Sequence, residues 1–228
     1  MRSANRPVSD TSLTRRPRRT TYEKEMKTNS INILILLGVI FYGCTTEYQA
    51  QNGDIIFQTS RSSQSAAIQR ATKSKYSHMG IVYIKNGQLF VFEAIEPVQL
   101  TPFREWIARG EGEHFVVKRL LKADKKLTQK ALEQMLKVGQ AFEGKHYDLY
   151  FEWSDDRIYC SELVWKIYKR ALDLEVGKLQ VMQEFDFSDP VVQKKMRERF
   201  GDALPKNEKV ISPAAIFDSE LLITVYEN

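Results

Sequence analysis

Alternating hydrophobic and polar positions in the first half of the chain predict β-strands. Residues 53–57 form a short β-like run after a turn signal. Two longer apolar runs, residues 79–84 and 89–95, flank the dipeptide Asn86-Gly87. Asn-Gly between two such runs is the strongest short-range signal of a β-hairpin. This segment therefore predicts two antiparallel strands joined by a tight turn.

Helical spacing is found in three further segments. Residues 65–73 and 127–142 have the apolar spacing of amphipathic helices, and residues 114–121 between them favour another strand. A third helix is predicted from Cys160 onward. Its apolar residues recur at helical intervals and should face the core: Leu163, Val164, Ile167, Tyr168, Ala171 and Leu172.

The C-terminal part of the chain adds a charged helix and a last strand. Residues 189–200 are helical in pattern but highly charged, so we expect them to form an insertion on the surface. Ser212-Pro213 is a good helix start, and residues 221–226 favour a strand. Taken with the earlier elements, this order indicates an α+β domain whose central antiparallel sheet packs against helices.

The predicted turn also determines which residues face each other across the hairpin. Around a two-residue turn, paired residues have numbers that sum to 173, so Gly80 faces Glu93. His78 shares a face with Gly80 and becomes a diagonal neighbour of Glu93, roughly 7 to 8 Å away between backbones. A three-residue loop would shift this register. Because Gly80 has no side chain, we expect open space there, and Glu93 is placed to orient the imidazole.

Cys160 is the candidate nucleophile. It is one of two cysteines in the chain and stands at the first turn of a predicted helix. The unpaired N–H groups of a helix N-terminus carry roughly half a positive charge, which favours a thiolate over a thiol. A thiol at a helix start, His78 at a strand start and Glu93 on the next strand are the parts of a cysteine hydrolase. In such a site the imidazole moves the proton and the carboxylate orients the imidazole.

The positive charge of the chain comes from its first residues. The formal net charge is +5, but residues 1–27 carry eight of the 34 Lys and Arg and only three of the 29 Asp and Glu. From residue 45 onward, 26 basic residues balance 26 acidic residues. A nucleic-acid partner is therefore not expected.

Residues 26–44 have the layout of an export signal, with a positive start, an apolar run and small residues before Cys44. The apolar run is shorter than a membrane span of about 20 residues. Cys44 follows glycine as in a bacterial lipobox, which leaves lipidation, ordinary cleavage and an uncleaved anchor as alternatives. We expect residues 1–25 to be a disordered extension or to result from a misassigned start codon. Residues 45–228 should form one domain. The predicted location is the periplasm or cell envelope, with membrane anchoring through Cys44 if it is lipidated.

Several short motifs occur in an order known from one family. The most specific is Tyr-Cys-Ser-Glu-Leu-Val at residues 159–164, and Ser-His-Met-Gly-Ile-Val at residues 77–82 precedes it. With Gly-Asp-Ile-Ile, Phe-Glu-Ala and Tyr-Asp segments in matching order, the chain resembles the YiiX-like branch of the NlpC superfamily. These are circularly permuted papain-like proteins, in which the histidine strand precedes the cysteine helix. The resemblance covers about residues 51–226.

The resemblance implies a permuted papain-like fold and a role for each site residue. It implies Cys160 as nucleophile, His78 as base and Glu93 as the orienting polar residue, with Tyr159 assisting near the oxyanion. The expected function is an exported cysteine hydrolase that cleaves an amide bond of a peptide or cell-wall peptide through an acyl-thioester. The same fold includes relatives of lecithin retinol acyltransferase, so the alternatives are a lipid acyltransferase, a lipid amidase or esterase, or a non-catalytic lipid- or peptide-binding module.

Other polar residues have simpler explanations. His146 is a rival base because it lies closer to Cys160 in sequence, but no paired carboxylate can be derived for it. His114 is assigned to a strand edge. No pair among these residues has the close spacing of zinc ligands, and no glycine-rich phosphate loop occurs, so neither a metal nor a cofactor is predicted. The remaining acids are assigned to turns and caps: Asp54, Asp148, Asp155 and Asp156.

Overall fold

The computed structural model describes residues 47–228. The expectations for residues 1–25, for the export signal at residues 26–44 and for lipidation of Cys44 lie outside the described residues. Among residues 47–228, no helix combines the length and the hydropathy that a bilayer crossing needs.

Six strands form one antiparallel sheet in the order β10-β5-β1-β2-β3-β4. Its strands are β1 (Ile55–Gln58), β2 (His78–Lys85), β3 (Gln88–Glu93), β4 (Gln99–Pro102), β5 (Val116–Leu120) and β10 (Leu222–Glu227). Two short ladders lie apart from it, a parallel pair of β6 (His146–Tyr147) with β7 (Arg157–Ile158) and an antiparallel pair of β8 (Gln180–Val181) with β9 (Lys209–Val210).

The helices are α1 (Ser65–Thr72), α2 (Phe103–Ala108), α3 (Ala123–Lys126), α4 (Gln129–Gln140), α5 (Cys160–Leu172), α6 (Pro190–Phe200) and α7 (Pro213–Phe217). The predicted α+β class with a central antiparallel sheet is confirmed. The predicted helices and strands are present as well, and β4 and α2 are additions that the sequence pattern did not indicate.

The hairpin of β2 and β3 has the predicted register. Asn86 and Gly87 have positive φ angles of 53° and 74°, as the tight turn between right-twisted strands requires. Val82 pairs with Val91, so the numbers of paired residues sum to 173. The expected open space at Gly80 is not found, because a Cβ there would lie 2.4 Å from Val91 Cγ1. The missing side chain instead allows β3 to approach closely.

Both faces of the sheet are buried. One face carries Met79 and Ile81 of β2 and packs against α5, which also contacts α4. The other face carries Val82 and Val91 and is covered by Trp106 of α2. Each large side chain buried in this way contributes about 1.5–3 kcal/mol relative to exposure. The start of β2 and the start of α5 are held by this packing.

Helix α6 forms at residues 190–200 and lies largely at the surface, as predicted, but it is packed onto the domain on one side. It packs against α1, and Val192 is fully buried in that contact. Asp189 caps the helix by accepting a hydrogen bond from the Val191 N–H. Apart from Arg199, which reaches inward to Gln64, the charged residues of α6 lie mostly at the surface and cover the buried Val192, which is why the composition alone indicated a solvated helix.

Candidate active site

Cys160 is the first residue of α5. Tyr159 precedes it with extended backbone angles and ends the non-helical segment. Ser161 holds this end in place because its hydroxyl donates a 2.8 Å hydrogen bond to the Ile211 carbonyl oxygen. Cys160 is buried, with 3% of its surface exposed, yet it lines a pocket between α1 and α6.

The His78 imidazole contacts both other members of the predicted trio. It lies close enough to the Cys160 thiol for the two groups to interact, and its Nε2 lies 2.6 Å from Glu93 Oε2. Because Nε2 is hydrogen-bonded to the carboxylate, Nδ1 is the ring nitrogen that remains to interact with the sulfur. The indole of Trp106 stacks behind the imidazole, with ring centroids 6.0 Å apart. Burial lowers the pKa of His78, but the hydrogen bonds with Cys160 and Glu93 outweigh burial and raise that pKa to about 9.

Glu93 is fully buried and has three partners. Besides His78, the Thr101 hydroxyl donates a 2.5 Å hydrogen bond to Glu93 Oε1, and Arg109 forms an ion pair with the same oxygen. Burial would raise the pKa of Glu93, but the hydrogen bond with His78 and the charge of Arg109 lower it below its ordinary value. The carboxylate is thus kept ionised in the core, where it can hold the imidazole ring.

Cys160, His78 and Glu93 come together in the folded chain. The structure adds Thr101 and Arg109, which sequence reasoning missed. Thr101 lies on β4, which is short and ends in a proline, and Arg109 follows the six-residue helix α2. Neither element has a strong sequence pattern.

Tyr159 has structural contacts of its own beside Cys160. Its side chain is buried, packs edge-on against Phe151, and its hydroxyl accepts a 3.1 Å hydrogen bond from the Ile211 N–H. Packing against Phe151 and anchoring of the segment around Ile211 are a structural reason for a tyrosine at this position. Its assistance at the oxyanion stays a prediction.

A second tyrosine, Tyr147, borders Cys160 directly. The two residues line the same pocket, and the charge of Cys160 contributes to raising the pKa of Tyr147, after burial as the main cause. Gln64 Nε2 donates a 2.8 Å hydrogen bond to the Tyr147 hydroxyl, and Arg199 of α6 donates a 2.6 Å hydrogen bond to Gln64 Oε1. Arg199, Gln64 and Tyr147 are therefore hydrogen-bonded in series from α6 to the pocket that contains Cys160.

The rival histidines are engaged elsewhere. His146 is exposed and pairs with Glu96 at 2.5 Å, and His114 Nδ1 lies 2.6 Å from the carbonyl oxygen of Asn228. The pairing of His146 with a carboxylate was not foreseen, but the pair belongs to the surface and does not contact Cys160.

The acids assigned to turns and caps have structural partners. Asp54 is fully buried and forms a two-oxygen ion pair with Arg119 at 2.6 and 2.8 Å. Asp155 pairs with Lys166 and Arg170, which lower its pKa. Asp148 is buried and accepts a hydrogen bond from the Tyr150 N–H, and burial raises its pKa. Asp156 is exposed.

Two cavities meet at the site. The first contains Cys160 and is lined mainly by apolar side chains of α1, α6 and the loops before and after α6, with an empty volume of about 630 Å³ including its mouth. The second contains His78 and is a larger, polar cleft of about 1490 Å³. Gln64, Tyr147 and Arg199 line both.

Comparison with known proteins identifies the family. The model of the permuted papain-like amidases, described as the YaeF/YiiX, C92 family, matches residues 49–226. The chain belongs to this family. It is 46% identical over 194 residues to the protein YiiX of Escherichia coli K12, a match that covers 85% of this chain and 95% of YiiX. A crystal structure of YiiX from Escherichia coli O157:H7 is 48% identical, has a TM-score of 0.76 and is covered over 99% of its length, against 79% of this chain.

Membership in the family confirms the permuted papain-like fold and indicates a hydrolase of the amidase type. The YiiX of Escherichia coli O157:H7 is described as a metalloprotein. Between residues 47 and 228 of this chain, no group of three or more His, Cys, Asp and Glu side chains is arranged to hold a metal ion. Structural and catalytic metal sites commonly use three or four such ligands, so the described residues do not fit one.

Proposed function

We propose that this protein is a cysteine hydrolase that cleaves an amide bond through an acyl-thioester on Cys160. One observation carries the proposal: the thiol at the start of α5 lies close enough to the His78 imidazole to raise its pKa, and that imidazole is hydrogen-bonded to the Glu93 carboxylate. This is the arrangement that an activated nucleophile requires.

The proposed reaction has two steps. In the first, the sulfur of Cys160 attacks the amide carbonyl carbon, His78 delivers a proton to the leaving nitrogen, and the C–N bond breaks to leave a thioester. In the second, His78 takes a proton from a water molecule as its oxygen attacks the thioester carbonyl. The C–S bond then breaks, and the carboxylic acid leaves. Glu93 stabilises the imidazolium throughout because it remains ionised.

The raised pKa of His78 supports this assignment. With a pKa of about 9, the imidazole is protonated at neutral pH and can supply the proton that the leaving amine needs. A protonated imidazole beside a sulfur also favours the thiolate. Negative charge on the carbonyl oxygen would face the N–H groups at the start of α5 and the Tyr147 hydroxyl, which Gln64 orients.

The apolar cavity favours an apolar acyl group as the part of the substrate that becomes bound to sulfur. Ile68 of α1, Phe185, Phe187 and Met196 line its walls beside Cys160. A peptide or cell-wall peptide with an apolar residue before the scissile bond would fit this chemistry. An acyl lipid would fit as well, so a lipid amidase, esterase or acyltransferase is the second candidate function.

Cellular location belongs to the same proposal. Export to the periplasm or cell envelope and lipidation of Cys44 rest on the sequence of residues 26–44, and both would bring the site close to cell-wall peptides and membrane lipids. Mass spectrometry of the mature N-terminus after expression in a bacterium tests this part, because a lipidated Cys44 has a distinctive added mass.

The reactivity of Cys160 tests the catalytic proposal. All variants carry Cys44→Ser, so that Cys160 is the one thiol measured. We expect iodoacetamide to alkylate Cys160 at pH 6 at least about tenfold faster in the parent protein than in His78→Ala, because the protonated imidazole is then lost. His146→Ala is the matched control and should react like the parent.

A slow rate at pH 6 that is equal in the parent and in His78→Ala would refute the proposal and favour a non-catalytic binding module. If the thiol is activated, peptide amides and acyl amides with the same leaving amine are compared. Preference for the acyl amides would select the lipid candidate.

A further inference from the structure

The polar cleft next to His78 is strongly basic. Four arginines line it, namely Arg61, Arg109, Arg157 and Arg199, against a single carboxylate, Glu96. That carboxylate is already engaged, since it binds His146 and accepts a 2.9 Å hydrogen bond from the Tyr147 N–H. The cleft thus has excess positive charge although the chain from residue 45 onward has as many acidic as basic residues.

The four arginines fall into two pairs. Arg109 is bound to Glu93 and Arg199 to Gln64, so both have a role inside the site. The side chains of Arg61 and Arg157 are exposed and have neither an ion pair nor a hydrogen bond with residues 47–228. The charge of Arg157 also acts on Glu96 and helps to lower the pKa of that carboxyl, but the hydrogen-bond donors of both guanidinium groups are available to a ligand.

An independent observation comes from Gln58, which also lines the cleft. Gln58 pairs with His78 across β1 and β2, and only 1% of its surface is exposed. Neither its amide nitrogen nor its amide oxygen has a hydrogen-bond partner within the described part of the chain. Buried polar side chains are nearly always hydrogen-bonded, so an amide without a partner at a cleft indicates a ligand site.

We propose that this cleft binds an anionic oxygen group, a carboxylate or a phosphate, on the leaving-amine side of the substrate. Arg61 and Arg157 supply the charge, and the Gln58 amide supplies a donor close to His78. This deepens and rests on the proposed function, because His78 gives its proton to the amine that leaves into this cleft. The substrate class is then an N-acylated amine with an apolar acyl group and an anionic amine portion.

The arrangement of the two cavities supports a substrate with an apolar acyl group and an anionic amine portion. The sulfur borders the apolar cavity and the imidazole borders the basic cleft, while Tyr147 lies between the two. The acyl group that stays on sulfur therefore remains among apolar side chains. The amine that accepts the proton departs among guanidinium groups, which bind carboxylates and phosphates through paired hydrogen bonds.

Ligand binding tests the proposal without relying on turnover. The full-length protein with Cys160→Ala is titrated by calorimetry with four probes that share one acyl chain: hexanoyl-glycine, hexanoyl-glycinamide, hexanoyl-phosphoethanolamine and hexanoyl-ethanolamine. We expect each anionic probe to bind at least about tenfold more tightly than its neutral counterpart, which corresponds to about 1.4 kcal/mol. The ratio between the first and third probes shows whether carboxylate or phosphate is preferred.

Charge-removing variants then locate the site. Introducing Arg61→Ala and Arg157→Ala together should weaken binding of the anionic probes about tenfold and change binding of the neutral probes less than about twofold. Arg104→Ala is the matched control, because Arg104 is exposed on α2 and does not line the cleft.

Three results would overturn the proposal: equal affinity for charged and neutral probes, an equal loss for both in the double variant, or no binding of any probe at millimolar concentration. Alkylation of Cys160 is measured separately. A reactive thiol with no preference for anions would refute the basic subsite and leave the proposed hydrolase intact.

Discussion

Cys160 and the carboxylate of Glu93 together raise the pKa of His78, and Glu93→Gln tests the share of the carboxylate. The amide has nearly the same shape and can still accept a hydrogen bond from Nε2, but it has no charge. In the parent protein the pKa of His78 is raised from 6.5 to about 9 against the effect of burial. At 1.36 kcal/mol per unit, this difference amounts to roughly 3 kcal/mol. Glu93→Gln removes one of the two partners that offset burial and leaves Cys160 in place, so we expect the pKa of His78 to fall by at least about one unit.

The same shift has a consequence for stability. Because the folded-state pKa of His78 lies above its unfolded value, proton binding to His78 stabilises the folded state. This stabilisation is fully present below pH 6.5 and is lost as the pH rises through about 9. The free energy of unfolding of the parent should therefore fall across this window by up to roughly 3 kcal/mol, and Glu93→Gln should flatten the fall. Urea titrations at several pH values measure this slope.

Side-chain NMR provides the assay for the proton itself. The chain has only three histidines, so their imidazole signals can be assigned by single substitutions. Glu96→Gln is the control, since Glu96 pairs with the exposed His146 and should leave His78 unchanged. The reasoning fails if His78 titrates at the same pH in the parent protein and in Glu93→Gln.

Individual contacts lead to three further predictions. Gly80→Ala should lower the free energy of unfolding by about 1–3 kcal/mol in urea titrations, because its Cβ would lie 2.4 Å from Val91 Cγ1 and 2.7 Å from a backbone oxygen; unchanged stability would contradict the close approach of β3. Asp54→Asn should cost about 3 kcal/mol by removing the buried carboxylate that pairs with the half-buried Arg119, while the alkylation rate of folded Cys160 stays the same; a slower thiol would connect Asp54 with the site. Tyr147→Phe should lower kcat about 100-fold for an amide substrate, whereas Tyr159→Phe should mainly lower Tm. A large loss of kcat in Tyr159→Phe and none in Tyr147→Phe would instead support the oxyanion role of Tyr159.

The sequence predicted the parts of the site that depend on local geometry. Asn86-Gly87 allows one common type of turn, and that turn dictates which residues face each other along the whole hairpin, which makes His78 and Glu93 diagonal neighbours. The apolar spacing after Cys160 is regular enough to define both the start of α5 and its buried face. Where a short segment contains its own constraint, pattern and structure agree.

The supporting residues could not be predicted because their roles depend on contacts distant along the chain. Arg109 meets Glu93 only after α2 folds over the sheet, and Arg199 meets Gln64 across 135 positions. Nothing in the residues around either arginine indicates its partner. The charges of α6 likewise concealed Val192, since a few apolar residues among many charged ones resemble a solvated helix.

The order of the site along the chain makes the chemistry a late product of folding. His78 and Glu93 belong to one hairpin and can meet as soon as that hairpin forms, but Cys160 follows His78 by 82 positions and joins them only when α5 packs against β2. Before that step the cysteine is an ordinary thiol on an unfolded segment. If Cys160 is the proposed nucleophile, a newly made chain has no activated thiol to damage itself or its neighbours, and the reactivity of that sulfur would report in real time when α5 packs against β2.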